Sequence, residues 1–204
     1  MAFIEETLSA AGITRIAGVD EAGRGPCAGP LVVAAVILKD YLSPALSQVR
    51  DSKELSEKVR ESLFDVIISE ALSYSIIEIS VEEIDSFGLH KSNIEGMRRA
   101  VSALDIEPQY VLTDGYAIPG LSLPNLAVWK GDKVAMCISA ASILAKVYRD
   151  RKMIELDAQY PEYGLAKHKG YISAGHTAAI ARHGVKAFHR RSFSNIAEFI
   201  KQGK

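Results

Sequence analysis

Cysteine is scarce in this 204-residue sequence: Cys27 and Cys137 are the two present. They are too few for a disulfide framework and cannot build a zinc site by themselves. No apolar run reaches the roughly 18 residues that a membrane-spanning helix needs. The opening residues MAFIEETLSAAG are acidic and lack the basic n-region of a signal peptide, so the chain is expected to be soluble and cytosolic. Repeats, low-complexity segments and convincing linkers are missing as well. There is no overall excess of one charge sign, with 24 Lys+Arg against 25 Asp+Glu. The balance is uneven along the chain, however. Residues 1–129 hold 10 basic and 19 acidic side chains, a net of −9, and residues 130–204 hold 14 and 6, a net of +8. Such a split suits either a flank that binds a polyanion or a set of solvated basic helices. A composition 48% hydrophobic and 24% charged excludes disorder and leaves ample material for a core, at a length that fits one domain.

The run RIAGVD (Arg15–Asp20) follows a short leader and reads as a strand. After a Gly/Pro-rich turn, LVVAAVIL (Leu31–Leu38) is rich in β-branched residues and nearly all apolar, the pattern of a buried strand. Asp51-Ser52-Lys53 reads as a loop. From Ser56 onward Val59, Leu63, Val66 and Ile67 recur at helical spacing, and YSIIEIS (Tyr74–Ser80) alternates as a third strand. Ser80 and Glu83 have the spacing of a capping box, opening a short helix towards Gly88. Ile94, Met97, Val101 and Leu104 mark another helix face. YVLTDG and LAVWKGD read as two short strands, each ending in an aspartate beside a glycine. Val134–Leu156 contains neither Gly nor Pro and reads as one helix, with two more over Ser173–His183 and Ser194–Lys201. The order of elements predicts a mixed α/β domain with a helical C-terminal end.

The strongest local feature is GVDEAGRG, where Asp20 and Glu21 stand side by side as a hydrophobic strand gives way to Gly23-Arg24-Gly25. Ligands usually bind at the carboxyl edge of an α/β sheet. Asp114 and Asp132 also follow apolar runs, so four carboxylates are expected to meet along one edge. Like charges at close range repel by about 4 kcal/mol per pair at an effective dielectric near 20. A hard divalent cation, Mg²⁺ or Mn²⁺, is the simplest compensation for oxygen donors with no Cys or His beside them. Taken singly, each Asp is equally a turn or cap residue. The glycines do not make a dinucleotide fingerprint, because the third falls at Gly29 and Pro26 and Pro30 interrupt the helix start. They do offer backbone that can approach a sugar-phosphate chain closely. Ser142 and Lys146 share a helix face with Arg149, a stripe that suits phosphates or simply solvent. Tyr171 lies among Lys167, His168 and Lys169, where an aromatic suits stacking on a nucleotide, or plain packing. His176, His183 and His189 lack metal-ligand spacing and read as hydrogen-bonding residues.

The segments GVDEAGRGPCAGPLVVAAV, DSKELS, YVLTDG, KGDKVAMCISAASILAKVYRDR, YPEYGLAKHKGY and GHTAAIARHGVKAFHRRSF occur in this order. Together they closely resemble the type 2 ribonucleases H, or ribonuclease HII, over about residues 16–193. The resemblance implies a ribonuclease H-like fold: a central mixed five-stranded sheet flanked by helices, with a helical C-terminal region. One domain over residues 1–204 is expected, with 1–160 as the α/β core and 161–204 as the helical part. The resemblance further implies endonucleolytic hydrolysis of RNA in RNA–DNA hybrids and at single ribonucleotides in duplex DNA, 5′ to the ribonucleotide, leaving 3′-hydroxyl and 5′-phosphate ends. By motif, Asp20, Glu21, Asp114 and Asp132 match the catalytic acids, which would hold two Mg²⁺ or Mn²⁺ ions about 4 Å apart. Gly23, Arg24 and Gly25 match the loop that reads the RNA–DNA junction, and Tyr171 the tyrosine beside the scissile bond. Ser52, Lys53, Ser142 and Lys146 are further substrate-contact candidates. The resemblance assigns no role to Cys27 or to the stretch His90–Met97, and it leaves the part played by Asn93 open. The leader is short for the N-terminal substrate-binding domain of type 3 relatives. The chain is expected to act as a monomer without membrane contact. Read from the residues alone, a resolvase- or integrase-type metal nuclease and a non-catalytic nucleic-acid-binding module stay open.

Overall fold

A strand covered on both faces has to be apolar throughout, and Leu31–Leu38 is such a segment. In the computed structural model, which describes residues 3–50 and 52–203, this strand (β2) is buried at every position. It pairs antiparallel with β1 (Ile16–Ala22) on one side and β3 (Ala71–Ile79) on the other. Beyond β1 the pairing turns parallel, through β4 (Tyr110–Asp114) to β5 (Asn125–Val128). The order β3-β2-β1-β4-β5 is the mixed five-stranded sheet that was expected. Alternate side chains of β2 enter opposite layers. Val32, Ala34 and Val36 pack under the long helix α5 (Met136–Gln159) and α2 (Glu57–Glu70). Leu31, Val33, Ala35 and Ile37 pack against Ile84 of α3 (Val81–Phe87) and Met97 and Val101 of α4 (Leu89–Ser102).

The C-terminal helices α6 (Leu165–His168), α7 (Ala174–His183) and α8 (Ser194–Lys201) surround a third apolar cluster. Cys27 and Ala28, from the loop after β1, enter that cluster beside Met153, Tyr163, Ile180 and Phe188. An isolated bridge between Ala28 and His189 fastens the two parts together. The loop carrying Gly23–Gly25 is thereby clamped between the sheet and the helical end.

Several boundaries differ from the sequence reading, each for a tertiary reason. The leader contains a helix, α1 (Ile4–Ala10), too short to show a period; its buried Glu5 accepts a hydrogen bond from the Cys137 amide at 2.8 Å. It thus caps α5, whose own N-cap position, Ala135, has no side chain to do so. β1 does not end at Asp20 but continues through Glu21 to Ala22. β5 stops at Val128, so Asp132 lies in a 3-10 turn, Gly131–Lys133, rather than at a strand end. Of the capping box, one half forms: Ser80 Oγ accepts from the Glu83 amide at 3.1 Å, while the Glu83 carboxylate pairs with Arg99 at 2.9 Å. Asp51 lies outside the described residues. Among those described, no helix is long and apolar enough to cross a membrane.

Candidate active site

The parallel register of β1 and β4, with Val19 opposite Thr113, brings Asp20 and Asp114 to neighbouring strand ends. Asp20 is buried, and Glu21 follows it with its amide hydrogen-bonded to Asp20 Oδ1 at 2.7 Å. Burial, then the charges of Glu21 and Asp114, hold the Asp20 carboxyl well above its usual range, against a hydrogen bond from the Ser142 hydroxyl. Glu21 is raised too, chiefly by burial, against the opposing pull of Arg24 and the Asn93 amide. Asp114 Oδ1 accepts from the Gly131 amide at 2.8 Å. That bond ties β4 to the turn that carries Asp132, itself buried.

These acids face a cavity of about 320 Å³ whose wall also includes Gly23, Arg24, Gly25, Ser52, Lys53, Ser142, Lys146 and Tyr171. The expected site residues therefore meet in one place, except that Asp132 lines an adjoining groove, shared with Glu21 and Asp114. Among the described residues no three acids, histidines or cysteines converge into a ready-made metal cage. The donors are nonetheless all carboxylate oxygens, and Glu21 Oε2 is buried without a hydrogen-bond partner. Such an open set fits a hard cation that keeps several waters and shares its shell with substrate phosphates.

Glycine is required at position 23 and favoured at position 25, for separate reasons. Gly23 has φ +101°, and a Cβ there would come 2.1 Å from Arg149 Nε. At Gly25 a Cβ would sit 3.1 Å from Tyr171 Cε1, so loop and tyrosine lie close together. Tyr171 is 52% exposed, an open aromatic surface beside the acids. Arg24 reaches back to Glu21 Oε1 at 3.5 Å and lies over the Tyr116 ring at 4.3 Å. Ser142 and Ser52 are hydrogen-bonded at 2.9 Å. Either hydroxyl of that pair can donate to the other, and Ser142 also bears on the Asp20 carboxyl. Lys146 is partly committed to Asp150, at 2.5 Å.

Arg149 does not present its charge to phosphates along the Ser142–Lys146 stripe. It is 1% exposed and donates to the carbonyls of Pro30, Lys169 and Ala28 at 2.9, 3.0 and 3.1 Å. Arg190, fully buried, donates to the Gly29 and Arg24 carbonyls at 3.0 and 3.3 Å. The two guanidiniums hold the Gly-Arg-Gly loop and the chain before Tyr171 from behind. Asn93 was also missed. It is fully buried against Glu21 with neither amide atom in a well-formed hydrogen bond. A polar residue on the same α4 stripe as Met97 and Val101 was the available signal.

The family model "Ribonuclease HII" matches residues 17–196. The ribonuclease HII of Corynebacterium jeikeium is 54% identical over 98% of this chain and 96% of its own length. That of Nocardia farcinica is 54% identical over 96% of this chain and 78% of its own. Among solved structures, the ribonuclease H2 of Pyrococcus horikoshii superposes with a TM-score of 0.80 at 29% identity, covering 92% of this chain and 98% of that one.

Proposed function

Since the chain belongs to the ribonuclease HII family, and so is a ribonuclease H acting on RNA–DNA substrates, we propose that it cuts such duplexes through Asp20, Glu21, Asp114 and Asp132, including at single embedded ribonucleotides. Cleavage falls on the 5′ side of the ribonucleotide and leaves 3′-hydroxyl and 5′-phosphate ends. Family membership sets aside the resolvase and binding-module readings. The observation that carries the proposal is the meeting of buried, mutually repelling carboxylates with the Gly-Arg-Gly loop and Tyr171 around one cavity.

The four acids would hold two divalent ions, Mg²⁺ or Mn²⁺, which when bound supply Lewis-acid activation of water and charge stabilisation at the leaving oxygen. The rest is done by the chain's own groups. Ser52 and Ser142 fix the Asp20 carboxylate in orientation. Arg24 offsets part of the charge of Glu21. Backbone N–H and C=O groups of Gly23–Gly25, with the Tyr171 hydroxyl, reach the 2′-hydroxyl, the group that distinguishes RNA from DNA. The Tyr171 ring packs on the neighbouring sugar, while Lys53 and Lys146 meet phosphates. We read residues 1–160 as the part that carries the acids and 161–204 as the part that carries the tyrosine, within one domain acting as a cytoplasmic monomer.

The test is a duplex with one ribonucleotide, incubated with Mg²⁺, Mn²⁺ or EDTA, its ends mapped. Cation-dependent cutting 5′ to the ribonucleotide is expected. Cutting in EDTA, or equal cutting of the all-DNA duplex, would overturn the proposal.

A further inference from the structure

Trp129 is 81% exposed, the most open of the large hydrophobic side chains among the described residues. It stands where β5, the edge strand, turns towards Asp132. The next residue, Lys130, is held in the left-handed region at φ 56°, a conformation disfavoured for a residue with a Cβ and found where a site demands it. Gly131 then bonds Asp114, so the Trp-Lys turn is anchored to a catalytic carboxylate. Trp129, Tyr116, Lys130 and Lys133 line a groove of about 370 Å³. This groove and the catalytic cavity have Glu21, Arg24, Lys53 and Asp114 in common. Tyr171 belongs to one and Trp129 to the other, so the acids lie between the two aromatics. Each aromatic stands beside cations, of which Lys133 is paired with Glu54 at 3.4 Å and Lys169 with Glu57 at 3.2 Å, exposed pairs that a phosphate can displace.

We infer that Trp129, with Lys130 and Lys133, is a second contact for the substrate strand, its indole packing on a sugar of the strand where it leaves the acids on the side away from Tyr171. The inference rests on the nuclease reading above and extends its binding track. The occupant is nucleic acid rather than protein, because the groove is continuous with the catalytic cavity and its exposed cations match a phosphate chain. An indole on a sugar face, with ammonium groups on the flanking phosphates, holds a strand without selecting its sequence.

Trp129 is the only tryptophan in the chain, so its fluorescence reports this contact alone. A duplex in which deoxynucleotide replaces the ribonucleotide is titrated into the protein in Mg²⁺, with binding followed independently by anisotropy of a dye on the duplex. Tryptophan emission should change in step with anisotropy. A duplex trimmed on one side of the target position should still bind but leave the emission unmoved. Trp129→Ala should raise KM for the single-ribonucleotide duplex roughly tenfold, more than it lowers kcat, and Trp129→Phe should recover most of that loss. Emission that stays flat while anisotropy reports saturation overturns the inference, as does an unchanged KM in Trp129→Ala. An emission maximum that instead shifts with protein concentration, with duplex absent, assigns the face to a second copy of the chain and also overturns it. Failure of the wild-type protein to cut the ribonucleotide duplex in Mn²⁺ is a different result, which removes the nuclease reading itself.

Discussion

The acidic end of β1 and the Gly-Arg-Gly loop that follows it are adjacent in sequence and opposite in how they are held. Asp20 and Glu21 are buried beside one another and beside Asp114, with one Glu21 oxygen unpartnered, so their charges oppose folding. The loop is over-determined: Arg149 and Arg190 satisfy five carbonyls of the Arg24–Pro30 and Lys169 backbone. Neither arginine has a carboxylate in salt-bridge contact among the described residues. Burial pushes their guanidiniums down to about 10 and about 9, still charged at neutral pH. Electrostatic strain is thus concentrated in the carboxylates proposed to take part in the reaction, while the loop proposed to read the substrate is already locked in place.

Substitutions should separate the two regions. The largest effect is expected for Asp20→Asn or Asp114→Asn, which should cost at least about a hundredfold in kcat by analogy with losing one charge-stabilising group, with the fold intact by circular dichroism. Full activity in either variant would break the comparison at its acidic side. Next, Arg149→Met removes three bonds, two to the loop at Ala28 and Pro30 and one to Lys169 before Tyr171. At roughly 1 kcal/mol or more per orphaned carbonyl, stability should fall by about 3 kcal/mol in urea titration, and KM should rise more than kcat falls. An unchanged unfolding midpoint would mean the loop holds itself.

The third effect concerns pH. His176 and His189 are fully buried, their Nε2 atoms 3.1 Å apart. Burial lowers both, His189 from 6.5 to about 4, with His176 adding to the shift there. The folded form therefore binds fewer protons than the unfolded one, so their contribution is complete above pH 6.5 and is lost as pH falls towards 4. The loss should be on the order of 3 kcal/mol for His189, and His189→Gln should flatten that limb of a stability–pH curve. Asp20 and Glu21, raised rather than lowered, act with the opposite sign: stability falls as pH rises above their ordinary values of 3.8 and 4.5. A curve with the same slope in the His189 variant would show that the histidines are not its source. The smallest effect is Gly25→Ala. Its methyl would press the Tyr171 ring at 3.1 Å, raising KM a few-fold, about 1 kcal/mol at most; steady-state kinetics on the single-ribonucleotide duplex check it.

Much of this was legible in the residues. Asp20, Glu21 and Asp114 could be placed at a sheet edge because apolar strand patterns lead into them. Tyr171 stood out among its cations, and β2 could be read as central because it is apolar throughout. Asp132 was found, but not its 3-10 turn, since LAVW continues a strand pattern past the real end of β5 at Val128. The helical spacing of Ser142, Lys146 and Arg149 put all three on one face correctly. It could not show that Arg149 turns away from phosphates to carbonyls contributed by Ala28, Pro30 and Lys169. α1 was invisible for a related reason, because its role is to cap a helix that begins far along the chain. Local pattern records which face a residue occupies; it does not record which remote backbone needs it.

The central claim, that the acids repel one another until cations lie among them, is tested most directly by thermal unfolding of the wild-type protein and Asp20→Asn near pH 7.5, each in EDTA and in Mn²⁺. The account predicts that Asp20→Asn unfolds at a higher temperature than wild type in EDTA. It also predicts that Mn²⁺ raises the wild-type midpoint and hardly moves that of the variant. A variant less stable than wild type in EDTA, with the same response to Mn²⁺, would contradict it.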